Sequence, residues 1–535
     1  MLNSSMKAET RFSDELPSLL AFCLVSLIFF YILKSIKKRS PVPPLPPGPT
    51  AYPIVGSLPE MLWKKPAFRW IHNVMKQLNT EIACIKLGRV HVITVTSPEL
   101  SIEFLRKHDG VFASRPDVSS ARLTSDGYLT PAMSFSGDQW KKMRRVMVSE
   151  VLTNDVFGRL HSKRCDEADH LVRFVYNQCM NPHISGVMNV RDATQHYCGN
   201  VIRKMVFSER FYGSGMEDGG PGIEEREHVD GLFTILSCLY GFAIADYVPW
   251  LEVFDLDGNK KMIMNAIKNV RKYQDQEIEK RVEMWKLGLK TDENDILGIL
   301  MNLKNAQNEP FLSIREIKAL ILEMMLAVVD NPSNAVEWTM AEMINQPHIL
   351  AKACEELDRV VGKNRLVQES DLSELNYVKA CLKESFRLHP VTPFNLPHVP
   401  SKNIVVGGYF IPKGSHVMLS RPGLGRNPRI WDEPLRFKPE RHIVDEVSNV
   451  LFVDHNLRIL SFSIGRRGCP ALELGSTTTT MLLARLIQGF SWKQPLDTNN
   501  IDLVESKHSL ALAEPLIARA APRLESQIYL QLLQK

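Results

Sequence analysis

The sequence predicts a mainly α-helical fold with small β-sheets, preceded by one transmembrane helix. Three observations predict it. Long stretches carry the helical apolar period, two short strand patterns turn at glycine-containing segments, and an 18-residue run near the start carries no charge. Of the 535 residues, 44% are hydrophobic and 23% charged, an ordinary globular make-up with material for a large core. No break in composition follows residue 50, so 50–535 reads as one large domain. Lys and Arg number 65 against 60 acids, and a net charge of +5 does not point to a nucleic-acid partner. The nine cysteines are dispersed, with no CxxC pair, and read as reduced thiols.

The elements follow in order. Residues 1–15 are a short mixed-charge segment. Leu16 to Leu33 is the uncharged run, and at about 1.5 Å per residue it spans roughly a bilayer's hydrocarbon core. No small-residue cleavage pattern follows it. Lys34, Lys37, Lys38 and Arg39 form a stop instead, which places 1–15 in the lumen and everything after residue 33 in the cytosol. The segment 34–49 ends in Pro41-Val42-Pro43-Pro44-Leu45-Pro46-Pro47-Gly48-Pro49, a stiff extended linker. A strand pair is expected in 82–95, turning at Gly88-Arg89, and a second in 407–419, turning at Pro412-Lys413-Gly414. Helical patterns run over Ser313–Ala327, Val336–Ile344, Asn376–Leu388 and Glu473–Gln488.

Phe462-Ser463-Ile464-Gly465-Arg466-Arg467-Gly468-Cys469 stands just before the last of these helices. Glycines let a backbone approach a flat cofactor. A helix N-terminus and neighbouring arginines favour a thiolate over a thiol. A thiolate is the haem ligand that pushes electron density toward O–O cleavage. A buried structural cysteine after a glycine turn is the plainer alternative.

This segment resembles the haem loop of the cytochromes P-450, FxxGxRxCxG, at Phe462, Gly465, Arg467 and Cys469, with Ala471 in place of the last glycine. Glu384-Ser385-Phe386-Arg387 resembles the family's ExxR. The resemblance implies a buried triad with Arg441 of Phe437-Lys438-Pro439-Glu440-Arg441-His442, bracing the loop behind the haem. His442 stands where the family often has an aromatic. Trp140-Lys141-Lys142-Met143-Arg144 resembles WxxxR, whose Trp140 and Arg144 would reach a haem propionate, and His398 of Pro397-His398 is a second propionate contact. The resemblance covers about residues 45 to 525. It implies haem b with Cys469 as axial ligand to the iron, dioxygen as co-substrate, and NADPH-cytochrome P-450 reductase as partner at the endoplasmic reticulum membrane.

Most of that family carry a glycine and a threonine in the long helix over the haem. Here Ala327-Val328-Val329-Asp330-Asn331-Pro332-Ser333-Asn334 stands instead, with Asn331 for the threonine. Pro332 lacks an N–H, so a kink is expected there. Asn-Pro-Ser-Asn followed by Ala-Val-Glu-Trp resembles the plant amino-acid N-monooxygenases, as do KQLNTEIACIKLG, FNLPHVP and ARLIQGFSW. That resemblance implies two N-hydroxylations of an L-amino acid, then loss of water and carbon dioxide to an aldoxime that feeds glucosinolate or cyanogenic glucoside synthesis. Asp330 and Asn331 are the catalytic candidates. The substrate, expected to carry a hydrophobic side chain, should meet Val118–Met133 and Val391–Asn395, with Phe394 as a wall and Arg122 as a carboxylate anchor. The alternative is a carbon-hydroxylating member acting on a small hydrophobic metabolite.

Overall fold

The computed structural model describes residues 43–534 apart from Phe211, residues 290–293 and 446–448, Leu496, Asp497 and Asn499. The expected membrane run 16–33, the basic stop and the first two linker residues lie outside the described residues. Among the described residues no helix is long and apolar enough to cross a membrane.

The first strand pair forms as expected. Strands β1 (Ile82–Leu87) and β2 (Val90–Val95) pair antiparallel, with Ile82 opposite Val95 and Leu87 opposite Val90. Gly88 turns the chain at φ +51, and a Cβ there would lie 2.2 Å from the Tyr247 carbonyl oxygen, so the turn requires glycine. Strand β3 (Val187–Asn189) belongs to a second sheet. Strands β4 (Ile404–Val406) and β5 (Tyr409–Ile411) pair with each other, and β6 (His416–Leu419) follows.

The second expected pairing does not form. β6 leaves β5 and pairs parallel with β2, Val92 opposite His416. Pro412–Gly414 therefore hands the chain from one sheet to another. The reason is burial: Val417 and Leu419 are fully buried and join the core under β2, a partner more than 300 residues away in sequence. Strands β7 (Phe490–Lys493) and β8 (Ile517–Pro522) complete the β3-β8-β7 sheet.

Six helices build the core and the site: α1 (Asp138–Val146), α2 (His161–Met180), α3 (Val190–Phe207), α4 (Ile314–Asn345), α5 (Asn376–Leu388) and α6 (Leu472–Gly489). The two helical patterns expected on either side of Asn331-Pro332 are one helix, α4, with Pro332 inside it. Its start is fixed by a capping box, in which Ser313 accepts from the Glu316 N–H and the Glu316 carboxylate accepts from the Ser313 N–H. Pro332 gives no N–H to the turn before it. Ser333 Oγ nevertheless donates to the Val329 carbonyl at 2.6 Å and tightens that turn. Fully buried Trp338 anchors the second half, stacked 3.8 Å from the His389 ring and donating to the Leu510 carbonyl. Packing of α4 against α3, α5 and α6 makes the main core, which outweighs the local penalty of one proline.

Candidate functional site

The loop before α6 folds tightly on itself. The Cys469 N–H donates to the Phe462 carbonyl at 2.8 Å and the Gly468 N–H to the Gly465 carbonyl at 3.0 Å. Gly465 sits at φ +77, and a Cβ there would be 2.6 Å from the Leu105 carbonyl oxygen. Its glycine is thus required by the backbone turn and by the chain behind it, and it does not line the cavity, as close approach to a flat cofactor would need. Gly468 does line it. The Asp109 carboxylate accepts from the Arg466 N–H at 3.0 Å and holds the loop from outside.

The Cys469 thiol opens on a cavity of about 310 Å³, with Phe462 and Gly468 beside it and α4 forming part of the wall. The Ala471 N–H, Arg144 and Arg421 all lie within electrostatic reach of the sulfur. Burial nonetheless dominates and raises the thiol above its ordinary pKa. The helix end and the arginines favour the thiolate in direction, as expected, but do not outweigh burial. A coordinated metal ion would remove the proton outright.

One corner of the cavity is rich in donors. Trp140 and Arg144 lie one turn apart on α1. The Trp140 indole N–H is buried without an acceptor, and Arg144 Nη1 donates to the Gly468 carbonyl at 2.8 Å. Arg467 donates to the carbonyls of Ala113, Pro131 and Ser134 at 2.6, 2.9 and 2.7 Å and stacks over the Trp140 ring. Arg115, which sequence reasoning missed, donates to the carbonyls of Ala132, Leu396 and Pro397 and also lines the cavity. Trp140 itself does not line the cavity; the three guanidinium groups at this corner are a setting for carboxylates, and the two propionates of haem b fit them.

His398 lines the cavity too, but Nδ1 bonds the Phe112 carbonyl at 2.9 Å and so carries the proton. Burial pushes its pKa down to about 3, leaving Nε2 a bare acceptor. His398 is a poorer carboxylate partner than its neighbours.

Behind the loop the ExxR pair is buried as the resemblance implies. Glu384 and Arg387 on α5 are fully buried and doubly bonded at 2.8 Å. Arg441 Nε donates to Glu384 at 2.9 Å, and His442 Nε2, in the position often aromatic in the family, bonds the same carboxylate at 2.8 Å.

The opposite wall is α4. Ala327, Val328, Asn331 and Pro332 line the cavity, and Asn331 Nδ2 donates back to the Ala327 carbonyl at 2.9 Å. Asp330 is buried in the same turn and does not itself line the cavity; burial pushes its carboxyl up to about 7 against the pull of Arg421. Glu323, also missed, lines the cavity and is pushed up to about 7 by burial.

Pro131, Ala132, Val391 and Asn395 from the expected substrate segments are present in the wall. Two expectations fail. Phe394 is not in the wall; it packs 5.4 Å from the His72 ring. Arg122 is partly exposed and bound to Glu252 at 2.6 Å, away from the cavity. Among the described residues the one three-residue group with metal-ligand chemistry is His161, Cys165 and Glu369, and both oxygens of Glu369 are already bonded by Arg164.

Pro470 offers no N–H to the sulfur, so the first donor after Cys469 is Ala471. Hydrogen bonds to a thiolate ligand withdraw electron density and raise the potential of the metal it holds. Pro470→Ala adds one donor. Such a bond is worth about 1.5–3 kcal/mol, and only its difference between oxidation states appears in the potential. A tenfold change is about 59 mV for one electron, so potentiometry of the substrate-free protein should show a rise of tens of millivolts.

Comparison with known proteins agrees with this geometry. The cytochrome P-450 family model matches residues 46–518. A tryptophan N-monooxygenase from Prunus mume is 53% identical over 512 residues, 95% of this chain and 96% of the relative. A tyrosine N-monooxygenase from Sorghum bicolor is 52% identical over 488 residues, 91% and 88% of the two chains. A phenylalanine N-monooxygenase from Arabidopsis thaliana is 51% identical over 527 residues, 96% and 99%.

Proposed function

The chain belongs to the cytochrome P-450 family, and from that premise we propose that it hydroxylates the amino nitrogen of an L-amino acid twice and yields the aldoxime. The observation that carries this reading is that relatives matching nearly the whole chain are N-monooxygenases of single amino acids. Each hydroxylation consumes one dioxygen and two electrons from NADPH. The N,N-dihydroxy acid then breaks its bond to the carboxyl carbon, losing carbon dioxide and water. Family membership implies haem b bound through a cysteine thiolate. We infer that Cys469 is that ligand and that Trp140, Arg144 and Arg467, with Arg115, hold the propionates. When bound, the haem supplies activation of dioxygen and transfer of one oxygen atom. The protein binds the substrate, keeps water out and handles protons.

The ammonium of the substrate must lose a proton before nitrogen can be oxidised. Asp330, buried beside Asn331 and held at about 7, is the group we assign as proton store, because it changes charge near neutral pH. Asn331→Thr restores the family's usual residue yet should not improve the enzyme. In this helix Thr339 Oγ1 donates to the carbonyl four residues back at 2.7 Å, and a threonine at 331 would do the same to Ala327. Less aldoxime per NADPH and more peroxide are expected, measured by product and peroxide assays side by side.

Electrons arrive on the cysteine side. Arg145 and Arg466 are exposed there, and Lys141 is about 70% exposed. Lys142, although adjacent, is tied to Glu316 at 2.7 Å. A basic face of this kind attracts an acidic flavoprotein such as NADPH-cytochrome P-450 reductase, and salt screens the attraction. Reversing Lys141 and Arg145 to Glu should slow reduction ~10-fold at low salt, with substrate-induced spectra unchanged. Equal rates in stopped flow would remove this face from the docking site.

The uncharged run 16–33 and the basic residues after it support an anchor in the endoplasmic reticulum membrane with the domain in the cytosol. Tryptophan, tyrosine and phenylalanine enzymes stand at 53, 52 and 51% identity, so overall likeness does not choose the side chain. The apolar part of the wall favours a hydrophobic one. The aldoxime suits glucosinolate or cyanogenic glucoside synthesis. Reconstitution with the reductase tests the reading: aldoxime should form only with NADPH and reductase present. Turnover of an amino acid without them would place the protein among haem isomerases or dehydratases instead.

A further inference from the structure

An enzyme for free amino acids must hold a carboxylate inside a largely apolar cavity. Arg122, bonded to Glu252 outside the cavity, does not do it. The cavity has four arginines. Arg115, Arg144 and Arg467 each donate to backbone carbonyls. Arg421 differs. Its guanidinium makes no hydrogen bond among the described residues, and its Nε is buried without a partner. An unpaired cation at such a site is costly unless an anion arrives.

Arg421 shares Cys469 with Arg144 but also faces Asp330. Arg467 feels Arg115 and Arg144, whereas Arg421 feels Cys469 and Asp330. A second orphaned donor stands beside it. Asn395 lines the cavity, its Oδ1 accepts the Leu419 N–H at 2.8 Å, and its Nδ2 is buried without an acceptor. That bond fixes which end of the carboxamide faces away from the strand. The two residues are held on neighbouring strand segments: Phe394 bridges Ser420, the Asn395 N–H donates to the Leu419 carbonyl, and the Arg421 N–H donates to the Pro393 carbonyl.

We propose that Arg421 and Asn395 form the cradle for the α-carboxylate of the amino-acid substrate. The inference rests on the amino-acid reading above and adds the residues that make it selective. A guanidinium and a carboxamide N–H together match the two oxygens of one carboxylate. A zwitterion bound there has its carboxylate on the cation. A carboxamide or an amine lacking the carboxyl leaves Arg421 unpaired and binds weakly.

The test uses the purified full-length, haem-containing enzyme and calorimetry. Wild type is titrated with L-phenylalanine, L-leucine and L-tryptophan, and the tightest binder is compared with its α-amide and its decarboxylated amine. Wild type should prefer the acid. Arg421→Met should weaken the acid roughly 10- to 100-fold, the loss of one charge-assisted bond, while amide and amine change less than about twofold on the same basis. Arg421→Lys should recover part of the loss, and Asn395→Ala should weaken the acid alone. An unchanged ratio of acid to amide affinity in Arg421→Met overturns the cradle. So does an equal weakening of all three ligands with loss of haem, which would make Arg421 a cofactor or packing residue. If wild type binds none of the amino acids, the amino-acid reading itself falls, and that failure shows before any variant is made.

Discussion

Cys469→Ser should lose the thiolate signature of the ferrous–carbon monoxide spectrum and all aldoxime formation. The substitution is nearly isosteric, and the loop bonds from Cys469 N–H and Gly468 N–H are backbone bonds that it does not touch. What changes is the donor atom. Only a thiolate gives the metal enough charge to produce that band and to promote O–O cleavage. The serine protein should still fold, because the braces behind the loop remain. A variant keeping the thiolate spectrum would show that another cysteine is the ligand. The other described cysteines include Cys84, Cys198 and Cys381, all buried in the core and pushed by burial to high pKa.

The second large effect belongs to Glu384→Ala. One carboxylate, fully buried, receives Arg387 twice, Arg441, His442 and the Lys438 N–H. Removing it leaves guanidinium groups buried without their anion, which costs about 3–5 kcal/mol. That is a large share of the ~5–15 kcal/mol that holds a typical domain together. The variant should accumulate little haem protein and unfold at markedly lower temperature, read by haem content and thermal melts. Burial by itself would raise the Glu384 pKa, but the bonds from Arg387 and His442 outweigh it and hold the group at about 2, below the ordinary 4.5. A depressed pKa stabilises the folded state fully above the ordinary value and is lost as pH falls through the folded one. Stability should therefore decline from about pH 4.5 toward about 2 in wild type, and Glu384→Gln should flatten that part of the profile. A melt as high as wild type in Glu384→Ala would mean that the network is dispensable.

Local signals in the sequence matched local structure closely. The helix Asn376–Leu388 has the bounds its apolar period suggested, and the 82–95 hairpin turns at its glycine. The cysteine loop and its ExxR brace were legible because their residues stand at short, fixed spacings. What was not legible depends on distant partners. β6 pairs with β2 and not with the adjacent β5, since the buried surface that selects it comes from the other end of the chain. By contrast, α4 runs on through Pro332, as the helical pattern on both sides of it suggested, and packing on three sides offsets the lost N–H.

Site residues followed the same division. Trp140 and Arg144 were visible as a pair on one helical face. Arg115, Glu323 and Arg421 belong to the cavity only through the way separate segments meet, and no spacing connects them, whereas Asn395 closes the expected segment Val391–Asn395. Arg122 and Phe394 failed for the converse reason: proximity in sequence to the cavity segments did not turn their side chains into it. The thiol of Cys469 shows the limit of reading electrostatics from neighbours, because burial, which a sequence does not display, outweighs the arginines.

Isotope labelling separates hydroxylation at nitrogen from hydroxylation at carbon. An L-amino acid carrying nitrogen-15 and a carbon-13 carboxyl is turned over by the reconstituted enzyme, and products are read by mass spectrometry. N-hydroxylation predicts an aldoxime that retains the nitrogen-15, with the carbon-13 released as carbon dioxide and two NADPH consumed per product. A product that keeps the labelled carboxyl and carries its new hydroxyl on carbon would make the enzyme a carbon hydroxylase.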